Sequence, residues 1–437
     1  MRTVSGLLVL VSVLTACHPP AGKDQRFMAN GTADPEQTIS AVAIRTTAMS
    51  AAWAATEQRF RASLKTERLL GEQRLKIPGG AIGVVLDGRL AHAKAFGEAD
   101  LETQRAFQVQ DRITIAAMTK MVTAVTVLRL VEEGRLDLDR PVNDYLRRGA
   151  RPWTFQRDQR SSEWANRVTL RHVLTQTAGI PDESPAESGD SLCEKDAEAF
   201  RNYFEQRRND PLLAEPGTVW NESNAGYVLA AAVIEAVTGL TFEEVATAKV
   251  LIPAGMKTAT WDGAEVEAKG SFARGYEFGR REDGSQGFVS YGPASIPCRV
   301  DRPALSLMAS VEDLAAFAQA LMSQSRPLLR QNSLEEWMRA GVPTPYVGWY
   351  GGVGTFVRKD YQGLKVVAHQ GAGGGYRAVL VMVPERDFAW IALHNVGASF
   401  PESLWDQAFA AIDSFLDLHL KPVSPPEQPA SERPTPE

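Results

Sequence analysis

The alternation of apolar and polar residues predicts strands near both ends of the chain. Two apolar runs, Ala81–Leu86 and Leu90–Ala95, flank Asp87-Gly88, a dipeptide that favours the tight turn of a β-hairpin. Towards the C-terminus, turn residues separate short runs rich in β-branched and aromatic residues: Gly352–Arg358, Lys365–His369, Tyr376–Val383 and Phe388–His394. The region between these two groups has few clear strands. We therefore predict a single antiparallel sheet built from both ends of the chain.

Apolar residues at helical spacing predict helices around and between these strands. The patterned segments are Ile39–Gln73 (as one long or two shorter helices), the stretch after Lys120, Ala225–Thr238 and Ser403–Leu418. Gly134 and Gly239 follow two of them at positions where a helix ordinarily ends. The predicted fold class is α/β (α+β): an antiparallel sheet flanked by helices, with an inserted, mainly helical lobe.

These patterns also suggest where the folded part begins and ends. We predict one folded domain over residues 39–420, with an α/β lobe from about 39–150 and 300–420 and a helical lobe from about 150–300. Residues 421–437 are rich in proline and glutamate and cannot bury a core, so we expect them to be disordered.

The first residues have the pattern of an export signal. Met1-Arg2 supplies a positive charge, and the apolar stretch Gly6–Ala16 is too short to span a bilayer. Leu14–Cys17 resembles the bacterial lipobox, which implies a signal peptide over residues 1–16, lipid on Cys17 and a tether over residues 17–38. An ordinary secretory peptide followed by a chance cysteine is the alternative. The expected location is the bacterial cell envelope, lipid-anchored and facing the periplasm, or export.

Charge and motifs exclude several classes of function. The net charge is −6 and no Lys/Arg run is present, so nucleic acid is not an expected partner. The six histidines are scattered, and the chain has no G-x-S-x-G, Walker, dinucleotide or H-E-x-x-H motif. We therefore expect no metal and no cofactor. Apart from Cys17, the cysteines are Cys193 and Cys298, which would either pair in an oxidising compartment or remain separate buried thiols.

Five stretches carry a resemblance to a known family. They are Pro78–Asp100, Ala117–Leu146, Val168–Pro181, Pro216–Gly239 and the short motif His369–Gly371. In this order they are similar to the serine β-lactamase and penicillin-binding-protein superfamily, in particular to its class C β-lactamases, DD-carboxypeptidases and family VIII carboxylesterases. The resemblance implies a β-lactamase/transpeptidase-like fold, and more weakly a reaction at a carbonyl group.

The catalytic positions of that family are only partly retained here. In the family, the serine of an S-x-x-K motif attacks the carbonyl, the lysine one turn later helps to deprotonate it, and a tyrosine shuttles protons. Lys120 occupies the lysine position, but Ala117 replaces the serine and Glu222 replaces the tyrosine. Gln176 replaces a common histidine in the stretch before, which we interpret as a structural change.

The third motif is retained. His369 and Gly371 match it, so His369 joins Lys120, Glu222 and the Ala117 position as a catalytic candidate. The resemblance implies an oxyanion hole formed by two backbone N–H groups, those of Ala117 and Ala372. The expected substrate-binding residues are Asn224, Gly371, Ala372 and Tyr376.

The altered residues favour a hydrolase without a serine nucleophile. Glu222 would act as general base for water, Lys120 would position that water or protonate the leaving group, and the water would fill the space left by the serine oxygen. Ser223 and Thr119 are alternative nucleophiles, although Thr119 should point to another face of its helix. The substrate would be a small-molecule or peptide carbonyl compound: an ester, amide, peptide or β-lactam.

Two other interpretations remain open. In a catalytically inactive binding or scaffolding protein, Lys120 and Glu222 would simply form an ion pair. In a Ser-to-Ala variant of an ordinary serine hydrolase, Glu222 would require a second, unrelated change.

Overall fold

The computed structural model describes residues 35–65, 68–70, 73–182, 198–281, 284–293, 298–325, 327–397 and 404–420. The helices are α1 Pro35–Lys65, α2 Thr119–Glu132, α3 Val142–Leu146, α4 Ser162–Arg167, α5 Leu170–Leu174, α6 Ala199–Gln206, α7 Asn224–Thr238, α8 Phe242–Ala246, α9 Ile252–Ala254, α10 Gly263–Lys269, α11 Arg302–Leu305, α12 Val311–Met322, α13 Gln331–Trp337 and α14 Leu404–Leu420. The strands are β1 Arg68–Leu70, β2 Gln73–Leu75, β3 Gly79–Leu86, β4 Arg89–Asp100, β5 Arg105–Ala106, β6 Ile113–Thr114, β7 Gly275–Arg280, β8 Gln286–Tyr291, β9 Met308–Ala309, β10 Tyr350–Gly351, β11 Phe356–Tyr361, β12 Leu364–Gly373, β13 Tyr376–Val383 and β14 Phe388–His394.

An eight-stranded antiparallel sheet joins the two ends of the chain. Its strand order is β10-β11-β12-β13-β14-β3-β4-β5. The pairing of β14 with β3, in which Ile391 lies opposite Gly83, connects the C-terminal strands to the N-terminal ones. The prediction of a single antiparallel sheet made from both ends is confirmed.

Side chains alternate between two apolar clusters, one on each face of this sheet. On β14, Ile391 belongs to the cluster that also contains residues of α2, α7 and α12, whereas Trp390 belongs to the cluster that contains residues of α1 and α14. Both side chains are fully buried. Burying such a side chain contributes about 1.5–3 kcal/mol to folding, so both faces help to hold the sheet.

Most local predictions are confirmed. The Asp87-Gly88 turn connects β3 to β4 with φ values of 51° and 71°, and the predicted strands Tyr376–Val383 and Phe388–His394 have the observed bounds. Gly134 and Gly239 follow α2 and α7 in the left-handed conformation, with φ values of 70° and 73°.

Three predictions need correction. The helix beginning at Pro35 ends at Lys65, and the hairpin β1–β2 follows it instead of a second helix. The predicted strand Gly352–Arg358 begins only at Phe356, because Gly354 has a φ of 74° and bends the chain before that point. The middle region also contains a hairpin, β7–β8, that its mixture of Pro, Gly and charge concealed.

Several predictions fall on residues outside the described part of the chain. They concern the signal peptide, the lipidation of Cys17, the tail 421–437 and the environment of Cys193. Cys298 is described, is 6% exposed and is disulfide-bonded.

The chain divides into the units Met1–Thr46 and Thr47–Glu437. The second unit holds the sheet and the candidate site; of the first, the structure describes helical backbone from Pro35. Over the described residues, no single helix has the length and apolar character to cross a membrane. The segments Asn224–Thr238 and Phe242–Ala254 meet that test only together, as a pair bent by 84°.

Candidate active site

A tight turn before α2 lies against strand β12. Residues Ala116–Met118 form one turn of 3-10 helix, and Ala116 has a φ of 46°, a left-handed value that is uncommon for alanine. A Cβ atom placed on Gly371 would lie 2.0 Å from the carbonyl oxygen of Ile115 and 3.1 Å from the nitrogen of Ala117. Only glycine permits this close approach, which brings the Ala117 position beside the third motif.

Lys120 lies one helical turn beyond Ala117 and is buried. Its side chain is 1% exposed, and its Nζ lies 3.6 Å from Oε1 of Glu222, just beyond hydrogen-bonding distance. Within the described residues the ammonium has no hydrogen-bond partner, and the Tyr227 ring centroid is 5.8 Å away. Burial lowers the pKa of Lys120, while the negative charges of Glu222 and Asp182 act in the opposite direction.

Almost no surface of the Lys120 ammonium is open to solvent. Ala117 itself is partly exposed, so the open cleft lies above the lysine.

Glu222 is held by neighbours that are anchored to Gln176. The Gln176 side-chain Oε1 accepts a 2.9 Å hydrogen bond from the Ser223 N–H, and its backbone oxygen accepts one of 2.6 Å from the Asn221 N–H. Gln176 has a φ of 61°, a left-handed backbone conformation that is uncommon for a residue other than glycine. The Glu222 side chain remains 40% exposed, so its carboxylate lies between the buried lysine and the open cleft.

The two alternative nucleophiles have structural roles instead. The hydroxyl of Ser223 caps α7 by accepting a 3.1 Å hydrogen bond from Gly226, and it donates to the carbonyl of Pro181. Thr119 is fully buried, and its hydroxyl oxygen accepts a hydrogen bond from the Leu307 N–H on another face of the helix, as predicted.

His369 is a buried, neutral imidazole. It is 5% exposed, and its Nδ1 donates to the carbonyl oxygen of Gln370 at 2.7 Å, which leaves Nε2 without a proton. Burial, together with the positive charge of Lys120, lowers the pKa of His369 to about 3. At neutral pH this residue can therefore accept a hydrogen bond but does not carry a positive charge.

We expect the stability of the protein to fall as the pH drops from 7 to 5. The pKa values of His369 and His394 are both lowered to about 3, mainly by burial, whereas an unfolded histidine titrates near 6.5. Below about pH 6.5 the unfolded chain therefore binds protons that the folded chain does not, which favours unfolding. Urea unfolding at pH 7, 6 and 5 measures this effect, and a constant free energy of unfolding would contradict it.

Asn224 lies at the entrance to the same site. Its N–H donates a 2.9 Å hydrogen bond to Oδ1 of Asp182, whereas its own side-chain Oδ1 is buried and has no partner among the described residues. The sequence pattern did not single out Asp182, although its charge is one of the two that raise the pKa of Lys120. A nearby carboxylate can be recognised as functional only after the chain has folded.

Of the expected substrate-binding residues, Tyr376 is the one that the structure moves away from the cleft. It is 1% exposed, and its hydroxyl donates to the carbonyl oxygen of Ala273 at 3.0 Å, so it is a packing residue. This placement corrects the expectation. Gly371 is buried against the 3-10 turn, and Ala372 is exposed beside it.

An aromatic wall, defined by Trp220, Tyr346 and Phe356, stands next to the site. The ring centroids of neighbouring members are 5.7–6.3 Å apart. The Phe356 ring also lies 5.1 Å from the ring of His369. Partial burial and the negative charge of Glu222 raise the pKa of Tyr346, so this tyrosine is electrostatically coupled to the candidate site. In the described part of the chain, no group of three or more His, Cys, Asp or Glu side chains is arranged to hold a metal ion.

Fold and site geometry together define a β-lactamase-like framework, and comparison with known proteins agrees. The family model for beta-lactamase matches residues 55–411. The chain belongs to the beta-lactamase family. This match places it in the serine β-lactamase and penicillin-binding-protein superfamily.

Relatives at moderate similarity include proteins from bacteria and fungi. Protein flp of Staphylococcus aureus (strain MW2) is 25% identical over 338 residues, which are 76% of this chain and 62% of that protein. Unguisins hydrolase ungD' of Aspergillus campestris is 25% identical over 359 residues, 79% of this chain and 63% of that protein. The chain therefore matches less than two thirds of the length of either relative.

Solved structures share the fold. The octameric penicillin-binding protein homologue from Pyrococcus abyssi superimposes with a TM-score of 0.64 at 25% identity, covering 86% of this chain and 77% of that one. The D-amino acid amidase from Ochrobactrum anthropi has a TM-score of 0.61 at 21% identity, covering 78% and 93% respectively. At this identity the second likeness concerns the fold alone.

Proposed function

We propose that the protein hydrolyses an ester, amide or peptide bond by direct attack of water, without an acyl-enzyme. The observation that carries this proposal is the pair formed by Glu222 and Lys120, whose nearest charged atoms are 3.6 Å apart. A partly exposed carboxylate at the cleft, held next to a buried ammonium, is a suitable general base. Ala117 has no atom that could act as a nucleophile.

In this mechanism Glu222 moves the proton. The carboxylate takes a proton from water as the water oxygen bonds to the carbonyl carbon, and the resulting carboxylic acid then gives that proton to the leaving group. The oxyanion formed in between is stabilised by the N–H groups of Ala117 and Ala372, which need backbone atoms only. Lys120 lies beneath the cleft, with its Nζ 3.6 Å from Oε1 of Glu222, and would position the water or protonate the leaving group. Its positive charge stabilises the negative charge that develops on the oxyanion.

The proposal extends to where the protein acts. With lipid on Cys17 and the tether over residues 17–38, the domain would be held at a membrane of the cell envelope. It would meet small-molecule or peptide carbonyl substrates there, and neither nucleic acid nor a cofactor would be needed.

One observation favours a second function, that of a binding protein without catalysis. The Lys120 ammonium has neither a hydrogen-bond partner among the described residues nor contact with solvent. An ion pair with a buried lysine can persist because removal of Glu222 would leave the lysine charge uncompensated. In that case the cleft would bind a ligand and release it unchanged.

A substrate panel separates these two functions. Short-chain esters, amides, D-alanyl peptides and β-lactams are incubated with the wild type, Ala117→Ser, Glu222→Tyr and the double variant. We expect hydrolysis by the wild type and its loss in Glu222→Tyr, because a tyrosine cannot supply a carboxylate base. If only the double variant is active, the natural site is catalytically inactive and the proposal fails.

A further inference from the structure

A cavity of about 230 Å³ lies beside the aromatic wall, and nothing in the proposed chemistry uses it. Five of its six lining residues are aromatic. The six residues, of which only Gln370 is not aromatic, are Tyr346, Trp349, Phe356, Gln370, Trp405 and Phe409. An apolar cavity of roughly 150 Å³ is enough to bind benzene, so a ring-sized group fits here.

The cavity lies next to the candidate active site. Tyr346 and Phe356 belong both to its lining and to the aromatic wall, and the ring of Phe356 contacts His369. Gln370 directly follows His369 on β12 and presents its side chain to the opposite face of the sheet. The pairing of β11 with β12 begins at Phe356 and Ala368, so β12 continues beyond that point without a β11 neighbour. The cavity and the candidate site therefore lie on either side of this end of β12.

The cavity is also held in shape before any ligand arrives. The indole Nε1 of Trp405 donates a 2.8 Å hydrogen bond to Oε1 of Gln370. The rings of Trp349 and Trp405 are 5.1 Å apart, and Phe409 packs against Trp349 at 6.2 Å. A site whose walls are already fixed loses little entropy when a ligand binds.

We propose that this cavity binds an apolar, ring-sized group of the substrate. The substrate class is then a carbonyl compound that carries an aromatic or branched aliphatic side chain or acyl group near the scissile bond. This inference rests on the proposed function, because it identifies the occupant as a part of the substrate. The polar character of the cleft at Glu222 and the apolar character of the cavity match the two halves of such a molecule.

Binding without turnover tests the proposal. Both enantiomers of N-acetyl-phenylalanine amide and, as the reference, N-acetylglycine amide are titrated into Glu222→Gln by calorimetry. We expect the phenyl compound to bind about ten- to a hundredfold more tightly, as burial of a phenyl side chain predicts. Trp405→Ala in the same background should reduce this ratio of affinities to roughly fourfold, the value expected for burial of a single CH₂ group.

A matched control and a second variant make the result specific. Trp164→Ala removes a partly buried tryptophan from the helical lobe and should leave the ratio unchanged. Phe409→Leu keeps an apolar side chain and should reduce the ratio even if Trp405→Ala does not fold. Equal affinity for the two amides, or a ratio that Phe409→Leu and Trp405→Ala leave intact, overturns the proposal.

Two further results distinguish what occupies the cavity from whether the protein is a hydrolase. If the phenyl compound binds only after residues 421–437 are deleted, the cavity belongs to the chain's own tail and the proposal is overturned. If the wild type hydrolyses nothing but Glu222→Gln still prefers the phenyl compound, the proposed function fails while the cavity assignment as an apolar subsite stands.

Discussion

Glu222→Gln is expected to reduce hydrolysis by about 10²- to 10⁴-fold, the usual contribution of a general base. Glutamine has nearly the same shape as glutamate but cannot take a proton from water at neutral pH. Because the change also removes the negative charge nearest to Lys120, the pKa of the lysine should fall further. The measurement is kcat and KM on the best substrate of the panel, and the loss should appear in kcat.

Glu215 provides the matched control for this variant. It is a glutamate of similar exposure, at 46%, and it forms an ion pair with Arg167 away from the site. Glu215→Gln removes the same charge and should leave kcat within about twofold, the range expected of a surface change. An equal loss of activity in both variants would indicate an effect of net charge or stability, and would remove Glu222 from the mechanism.

Gly371→Ala is expected to destabilise the protein by about 3 kcal/mol or more and to abolish activity. The added methyl group would lie 2.0 Å from the carbonyl oxygen of Ile115, so either β12 or the turn that carries Ala117 must move. The atoms that the added methyl group would contact belong to the backbone, so no side-chain rotation can relieve the clash. Urea unfolding together with the hydrolysis rate measures the two effects.

Gly279→Ala is the control for the loss of a strand glycine. A Cβ atom there would lie 3.4 Å from Cγ2 of Val289, an ordinary contact. The free energy of unfolding should change by no more than about 0.5 kcal/mol. If Gly371→Ala behaves like this control, the close packing between β12 and the Ala117 turn is not what shapes the site.

Local sequence signals predicted much of the fold because they act over short distances. The Asp87-Gly88 turn, the strand Tyr376–Val383 and the end of α2 at Gly134 depend on residues within a few positions of each other. The start of β11 at Phe356 was misplaced because a run of small residues is compatible with either a strand or a turn.

The candidate site was only partly predictable because its contacts join distant parts of the chain. The motif order predicted that Lys120 and Glu222 lie close together, and they are 3.6 Å apart. It did not predict that Gln176 anchors the Glu222 segment or that Asp182 adds a second negative charge. The burial of Tyr376 was equally hidden, since an aromatic residue after a glycine run is compatible with both cleft and core.

The mass of the intact protein during turnover tests the central claim most directly. The wild type is mixed with an ester or β-lactam that it consumes and quenched in acid at times from less than one turnover to several turnovers, and the mass of the intact protein is measured by mass spectrometry. Direct attack by water predicts that the mass never changes while product accumulates. A species heavier by the mass of the substrate acyl group would mean that a residue of this chain acts as a nucleophile, and would contradict the account.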